Sequence, residues 1–554
     1  MEGSPKNNVY FNHKWFKNNW NWLLLIAILV FGFYLRSYHL DYPVVGYHNM
    51  KEAHTLGEAW LMHENGNFLN NQLIYNTNFE NPQGIHLDNL PVISWFLMVL
   101  WNLFGVHLWI ARLLMVFFSL GVISLSYLVI KKLFDKEKLA LLSAFLVAVC
   151  PLLVFFGRNV QYDIPALFFA LFSVYFFLRW REKNKQTDIV FFSLFMVLTA
   201  ITKLPFLIFL VPILAIFPYD RIKSDILTRK YSRIKHYLYS GVIFLIIPLF
   251  IFYSKYLDKI FLNPAGIKPF ALENLGILFT SGFWKTIYSY AVIDNFTGFG
   301  LLFAFFGLIL VIPRFRKWNF RFLFAWALSY IIYAAFSPPQ MTGHNYYQIP
   351  YAPLIMFLVA YAFLFLLNSI LSLVKGVKIK KVALIVVLVL ILFLWYPSLE
   401  LSADRQFNTQ FFGLDVAGEY INKNSHSNEA VFESGHQDRG VAWHAKRRLA
   451  EFRNVDELKA GEKELNIKWI FMYQWGLSLI QDEEFMEHLE NNYHLAQVAL
   501  QRNGESNQVL YVLLKKGGTF KLNDIEALTQ SKDPLIKEYE LTSGIVPVFY
   551  YNAN

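Results

Sequence analysis

The sequence predicts a polytopic α-helical membrane protein with a C-terminal extracytoplasmic α/β domain. Three observations carry that reading. Of 554 residues, 56% are hydrophobic, 18% aromatic and only 16% charged, and the mean hydropathy is +0.35, whereas a soluble globular chain carries about 25% charged residues. The apolar residues fall into runs of membrane-spanning length. The charge is also divided: from Ser398 onward there are 16 Lys and Arg against 23 Asp and Glu, a net of −7, so with +10 for the whole chain the part before it carries +17.

This composition excludes an ordinary cytosolic enzyme, a disordered chain and a nucleic-acid binder built on a basic surface. The positive excess belongs to membrane loops, where it sets orientation, and no nucleic-acid partner is expected. Cys150 is the only cysteine and lies in an apolar run. Neither an intrachain disulfide nor a cysteine metal cluster is available to such a chain.

A membrane helix needs about 20 apolar residues. Eleven runs approach that length: 20–35, 108–130, 139–156, 164–178, 189–201, 204–217, 237–253, 298–312, 322–336, 350–374 and 382–395. With about eleven spans and a cytoplasmic N-terminus, the basic clusters at Lys6/Lys14/Lys17, Lys131–Lys138, Arg179–Lys185, Arg221–Lys235, Arg314–Arg321 and Lys375–Lys381 all fall on the cytoplasmic side, as the positive-inside rule requires. A twelfth span at 90–104 would break that agreement, so this stretch is read as an interfacial or re-entrant helix. The first apolar run is long and no small-residue cleavage site follows it, so it reads as a span and not as a cleaved signal. The expected location is a bacterial-type plasma (inner) membrane, multi-pass, with the C-terminal domain outside.

Two domains follow. Residues 1–397 form a transmembrane catalytic domain with a long first outer loop at 37–89. Residues 398–554 form a soluble α/β domain, with helical patterns at 416–424 and 483–492 and strand-like runs at 429–432, 469–472 and 508–514.

This topology collects the unusual polar residues on the outer face. Glu52, Asp88, Arg158, Asp163, Lys203, His344, Tyr346 and Tyr347 all lie in outer loops or at outer helix ends, and polar groups at membrane level are costly and usually functional. The segment 51–64 reads as an amphipathic helix on the membrane, with Glu58 and Glu64 on a solvated face. Helix capping competes as an explanation for Asp88 and Asp163, and snorkelling for Lys203. His48, His54 and His63 invite a metal, but none forms the i, i+4 pair that sets two ligands on one helix face, and no metal or other cofactor is expected. Cations and tyrosine hydroxyls at headgroup depth can hold a phosphate, and a nearby carboxylate can take a proton from an attacking group. That combination suits group transfer from a membrane-embedded phospholipid donor. No Gly-rich phosphate loop, G-x-S-x-G or H-E-x-x-H is present.

Taken in order, these segments resemble the polyprenyl-phosphate-sugar-dependent glycosyltransferases of the GT-C superfamily, above all the branch containing protein O-mannosyltransferases and the lipid A aminoarabinose transferase. The resemblance covers about residues 20–374. KEAHTLGEAWLMHENGNF, with Glu52, Ala53 and Gly66, resembles the acidic helix of the family's first outer loop. LDNLPVISW, Leu103-Phe104-Gly105 and Ala111-Arg112 resemble the segments that follow. Arg158…Asp163, Lys203–Pro205 and His344–Pro350 resemble the later motifs. The chain departs from the family at Lys51, where the favoured catalytic Asp stands, and at Asn89, where a phosphate-contacting Lys stands.

The resemblance implies an inverting glycosyltransferase acting on the outer face, with a polyprenyl-phosphate sugar as donor and membrane partner. It leaves the acceptor open between protein, lipid and glycan. Glu52, with Asp163 second, is expected to be the catalytic carboxylate. Lys51, Arg158, Lys203, His344 and Tyr347 are expected to bind the donor phosphate, and Asp88, His54 and Tyr346 to orient the sugar. The rival readings are a secondary transporter and a non-catalytic scaffold of the same architecture. Polar groups at outer helix ends instead of mid-membrane, and the lack of an internal repeat, speak against the transporter.

Overall fold

The computed structural model describes residues 13–553 apart from 69–78, 80, 83, 86, 88, 261–271, 337, 436–438, 452–453, 475 and 504–505. Its helices run in the order the hydropathy dictates. The first half holds α1 (His13–Arg36), α2 (Asn49–Asn65), α3 (Val92–Phe104), α4 (Leu108–Phe134), α5 (Glu137–Val149), α6 (Pro151–Phe155), α7 (Asp163–Lys183), α8 (Gln186–Thr202), α9 (Leu210–Ala215), α10 (Tyr219–Leu227) and α11 (Tyr231–Phe244). Then follow α12 (Ile246–Ile260), α13 (Ser281–Ser289), α14 (Gly298–Val311), α15 (Trp318–Phe336), α16 (Pro338–Gly343), α17 (Ala352–Leu373) and α18 (Val377–Asn408).

Among the described residues, six helical stretches are long and apolar enough to cross a membrane, or eight when two bent pairs each count as one span. The eleven expected runs fall on apolar helical stretches, several of them shorter than a full crossing, and 139–156, 204–217 and 237–253 are each divided between two helical segments. The run 139–156 is broken where Cys150 and Pro151 divide α5 from α6, because proline cannot continue the hydrogen-bond ladder. The stretch read as interfacial is α3, whose 13 residues span about 20 Å at 1.5 Å per residue, too short for the hydrocarbon core. Close helix contact has a sequence cause: a Cβ at Gly307 of α14 would lie 2.2 Å from the Leu358 carbonyl oxygen of α17, so only glycine permits that approach.

The C-terminal domain holds α19 (Leu414–Asn424), α20 (Gly440–Ala445), α21 (Val455–Glu464), α22 (Glu483–Asn492) and α23 (Asn523–Ser531). Its strands are β1 (Ala430–Glu433), β2 (Arg448–Ala450), β3 (Ile467–Tyr473), β4 (Tyr493–Asn503), β5 (Ser506–Lys516), β6 (Leu535–Leu541) and β7 (Gly544–Asn552). They form one seven-stranded sheet in the order β2-β1-β3-β5-β4-β7-β6. β2, β1 and β3 pair in parallel and the other pairs are antiparallel. The expected α/β character is present. α18 runs through Pro397 and past the expected boundary at 397/398 to Asn408, so the compact outer unit begins at α19.

Side chains alternate across β3 with the two-residue period of a strand. Ile470 and Met472 face a core with Phe485 and Leu489. Trp469, Phe471 and Tyr473 face a second core that also contains Ala53, Leu56 and Ala59 of α2 and Ile93, Leu97 and Trp101 of α3. One apolar core thus joins the sheet to the first outer loop. The expected solvated face of α2 is kept only at Glu64, which is exposed; Glu58 is buried, with its carboxylate on Ser94 of α3 and on Tyr162, and Glu52 is buried against Arg112 of α4.

Candidate active site

The polar residues singled out in the sequence meet where the start of α2, the turn between α6 and α7, the end of α8 and the segment before α17 come together. Two charge pairs organise the place. In the first, Arg112 donates from Nε and Nη2 to the two carboxylate oxygens of Glu52 at 3.1 and 2.9 Å. The Val160 N–H donates to the same carboxylate at 3.2 Å. Burial pushes the Glu52 carboxyl upward, but Arg112 and Arg158 together with these hydrogen bonds hold it below its ordinary value. The third Arg112 nitrogen, Nη1, donates to the carbonyls of His39, Leu40 and Tyr42. Arg158 Nη1 also reaches the His39 carbonyl, at 2.9 Å, and its guanidinium lies 4.8 Å from the Phe407 ring centre. Glu52, Arg112 and Arg158 therefore form a buried knot that fixes the 158–163 turn against α2 and the segment after α1.

In the second pair, Lys203 Nζ donates to both oxygens of Asp163, at 2.6 and 2.7 Å. Asp163 opens α7, and both of its carboxylate oxygens are taken by Lys203. Lys203 ends α8 and turns to Asp163 instead of snorkelling outward. Its Nζ also lies 4.8 Å from the Tyr346 ring and 5.3 Å from the Tyr347 ring. The His344 ring stacks on Tyr346 at 5.0 Å, and Tyr346 stacks on Tyr347 at 5.1 Å. The result is a cation lying against an aromatic wall and held by one carboxylate.

Of the expected residues, Asp163, Lys203, His344, Tyr346 and Tyr347 meet in one group, and Glu52 joins them through the 158–163 turn. His54 lies 6.1 Å, edge to face, from Tyr162 beside Asp163. Lys51 precedes Glu52 on α2 and is half-buried. Arg158 is turned into the knot. Asp88 lies outside the described residues.

The structure gives site partners to residues that the sequence reading passed over or, for His48 and Glu58, read otherwise. His48 caps the start of α2 with a left-handed φ of 59°, and its Nε2 lies 3.3 Å from Asn345 Oδ1. Asn295 donates to the Asn345 carbonyl and to Gln348 Oε1, so an amide ladder backs the His344–Tyr347 segment. Glu58 accepts from Ser94 Oγ and from Tyr162 OH, both at 2.5 Å. The only prior signal for these was polar residues recurring in otherwise apolar helix ends. Among the described residues, no group of three or more His, Cys, Asp or Glu side chains is placed to hold a metal ion.

Comparison with known proteins bears on this arrangement. The family model described as dolichyl-phosphate-mannose-protein mannosyltransferase matches residues 88–252. No curated protein matches the chain by sequence. Among solved structures, the chain is similar to ArnT from Cupriavidus metallidurans bound to undecaprenyl phosphate, with a TM-score of 0.51, 13% identity, and 90% of this chain and 98% of that one covered. It is also similar to the oligosaccharyltransferase of Archaeoglobus fulgidus, with a TM-score of 0.56, 13% identity, and 90% and 75% covered. The Archaeoglobus fulgidus enzyme AglB in complex with an inhibitory peptide and a dolichol-phosphate gives a TM-score of 0.56 at 13% identity.

Proposed function

We infer from the family match and the structural neighbours that the chain works as a GT-C membrane glycosyltransferase. We propose that the chain transfers a sugar from a polyprenyl-phosphate donor to an acceptor on the extracytoplasmic face, with inversion at the anomeric carbon. The lipid phosphates named with two structural neighbours, undecaprenyl phosphate and dolichol-phosphate, support the donor class. The observation that carries the reading in this chain is the Asp163–Lys203 pair against the Tyr346 and Tyr347 rings.

In this mechanism Lys203 neutralises the donor phosphate, with Lys51, His344 and Tyr347 as further donors to its oxygens. Binding of the phosphate draws Lys203 away from Asp163. The freed carboxylate accepts the proton of the acceptor group as that group attacks the anomeric carbon. The bond from that carbon to the phosphate oxygen breaks, and the phosphate leaves with the electron pair. Glu52 has both oxygens engaged with Arg112, so its part is to position the 158–163 turn, and Arg158 helps in that. His54 and Tyr346 line the sugar side, to which the sequence motifs also assign Asp88. The N-terminus is cytoplasmic in this arrangement, the membrane is the plasma membrane, and no metal takes part.

The decisive experiment is lipid mass spectrometry on cells with and without the gene, combined with transfer assays on the purified full-length protein. Build-up of a polyprenyl-phosphate sugar and loss of a glycan, reproduced by Asp163→Asn, support the proposal. An unchanged lipid and glycan profile in cells that express the protein would favour the non-catalytic reading, for which Lys51 at the family's acidic position is the specific support.

A further inference from the structure

At the far end of α8 from Lys203 lies a groove of about 400 Å³, walled by Ile189 and Phe192 of α8, Ile213 of α9, Phe217, and Tyr237 and Gly241 of α11. Its lining is almost wholly apolar, and its volume falls within the range of about 300–1,000 Å³ of ligand pockets. Its walls are well fixed. Tyr237 OH donates to Asp225 Oδ2 at 2.8 Å, and the Ser193 and Ser240 hydroxyls bond across the floor between α8 and α11.

The mouth of the groove is cationic. Arg181 donates to the carbonyl of Ile216, next to Phe217, at 3.1 Å. Arg221, next to the lining residue Ile222, donates to the carbonyls of Trp180 and Arg181 at 3.3 and 2.8 Å. Both Arg221 and Arg321 act on Arg181 through space, and the Arg181 guanidinium lies 4.2 Å from the Trp318 ring centre. Three carboxylates of this region are engaged elsewhere, Glu182 with Lys132, Asp188 with Arg179, and Asp225 with Lys230 and Arg233, and one further carboxylate, Asp220, precedes Arg221 in α10. Among the described residues, the Arg181 and Arg221 guanidiniums have carbonyls and aromatic rings as their partners. Three like charges gathered beside an apolar trough match an amphiphile with an anionic head and a hydrocarbon tail.

We propose that this groove binds one anionic phospholipid, with an acyl chain in the trough and the headgroup phosphate on Arg181, Arg221 and Arg321. The site is separate from the candidate transfer site and does not depend on the proposed activity. It lies at the α8 end opposite Lys203, beside the basic segment 221–235, so the lipid comes from the leaflet facing the basic loops. Bound there, it ties α8 to α9 and α11.

The test uses the full-length protein in nanodiscs of phosphatidylcholine and phosphatidylglycerol in equal amounts. The protein is then extracted in mild detergent, and the retained lipid is counted by mass spectrometry. Phosphatidylglycerol is expected to be retained over phosphatidylcholine, with each arginine contributing a factor of about five. Gly241→Phe fills the trough; a Cβ there meets nothing within 4 Å, so the ring enters open space, and retention of both lipids is expected to fall. Arg221→Gln is expected to keep chain occupancy and lose about fivefold of the headgroup preference. Equal retention of the two lipids by the wild type, or undiminished retention by a monodisperse Gly241→Phe protein, would overturn the proposal. Both readouts are independent of sugar transfer.

Discussion

Arg112 grips Glu52 with two nitrogens, at 2.9 and 3.1 Å, and both side chains are 3% exposed. A pair so deeply buried is expensive to break from one side, because the remaining charge has no solvent and no counterion. Removing one partner of a buried pair typically costs about 3–5 kcal/mol. Glu52→Gln is therefore expected to lower the Tm of the purified protein clearly, along with its activity. Arg112→Gln is expected to do the same, and the double variant to recover part of the loss. Additive Tm changes in the double variant would mean that the two residues are not coupled.

Asp163 and Lys203 are also paired, but Lys203 retains 14% exposure and lies against the open faces of two tyrosines. Asp163→Asn and Lys203→Gln are expected to cut transfer by about 10²–10⁴ with a much smaller change in Tm than Glu52→Gln. The kinetic split distinguishes their roles: Lys203→Gln raises the KM for the lipid donor, whereas Asp163→Asn acts on kcat. If Asp163→Asn retains transfer within about twofold of wild type, Asp163 is not the base, since loss of a general base costs far more than that.

The membrane helices, α3 as a short extra helix and the α/β character of the last domain were legible in the sequence because each depends on local pattern: apolar runs, charge clusters and two-residue alternation. The polar group around Asp163, Lys203 and His344–Tyr347 was legible because carboxylates, cations and histidines are rare at apolar helix ends. The partnerships were not. Nothing local pairs Glu52 with Arg112 sixty residues away, or distinguishes a capping Asp163 from one bonded to Lys203. The burial of Glu58 was missed for a related reason. A helix with charges on one face reads as solvated until its tertiary neighbours are in place, and here Ser94 of α3 and Tyr162 before α7 receive the Glu58 carboxylate.

His444 provides a pH-dependent tie between the two domains. Its Nε2 accepts a hydrogen bond from the Val44 N–H at 3.1 Å, so the ring is neutral in the docked state. Burial pushes its pKa down to about 4, despite opposing help from Asp415. The unfolded value is about 6.5, so between these values the unfolded chain binds more protons, and stability rises with pH across that window. The contribution is full above about pH 6.5 and is lost progressively as pH falls toward 4. The Tm of the wild type is expected to drop between pH 7 and pH 5, and the drop to shrink in His444→Gln, which keeps an acceptor but does not titrate. An identical pH profile for the two proteins would remove His444 from this role.

Lys446 has the opposite relation to its surroundings. It follows α20 with a left-handed φ of 51°, and its Nζ is buried with no hydrogen-bond partner among the described residues. The amine lies 2.8 Å from the Trp443 ring centre and 5.1 Å from that of Trp60, and Trp443 in turn stacks on Trp101 of α3 at 5.8 Å. Burial pushes its pKa well below the ordinary lysine value, with Glu64 only partly opposing. The amine therefore has little to gain from staying charged, and an unbonded buried polar group costs about 1–3 kcal/mol in protein mutational data. Lys446→Met keeps the stem and its aromatic contacts while removing that cost. Its Tm is expected to equal or exceed that of the wild type at pH 7, with a gain that widens as pH falls and the wild-type amine is forced to charge. A lower Tm for Lys446→Met at neutral pH would instead mean that the lysine is charged in place, and that its attraction to the Trp443 face helps hold the C-terminal domain on α2.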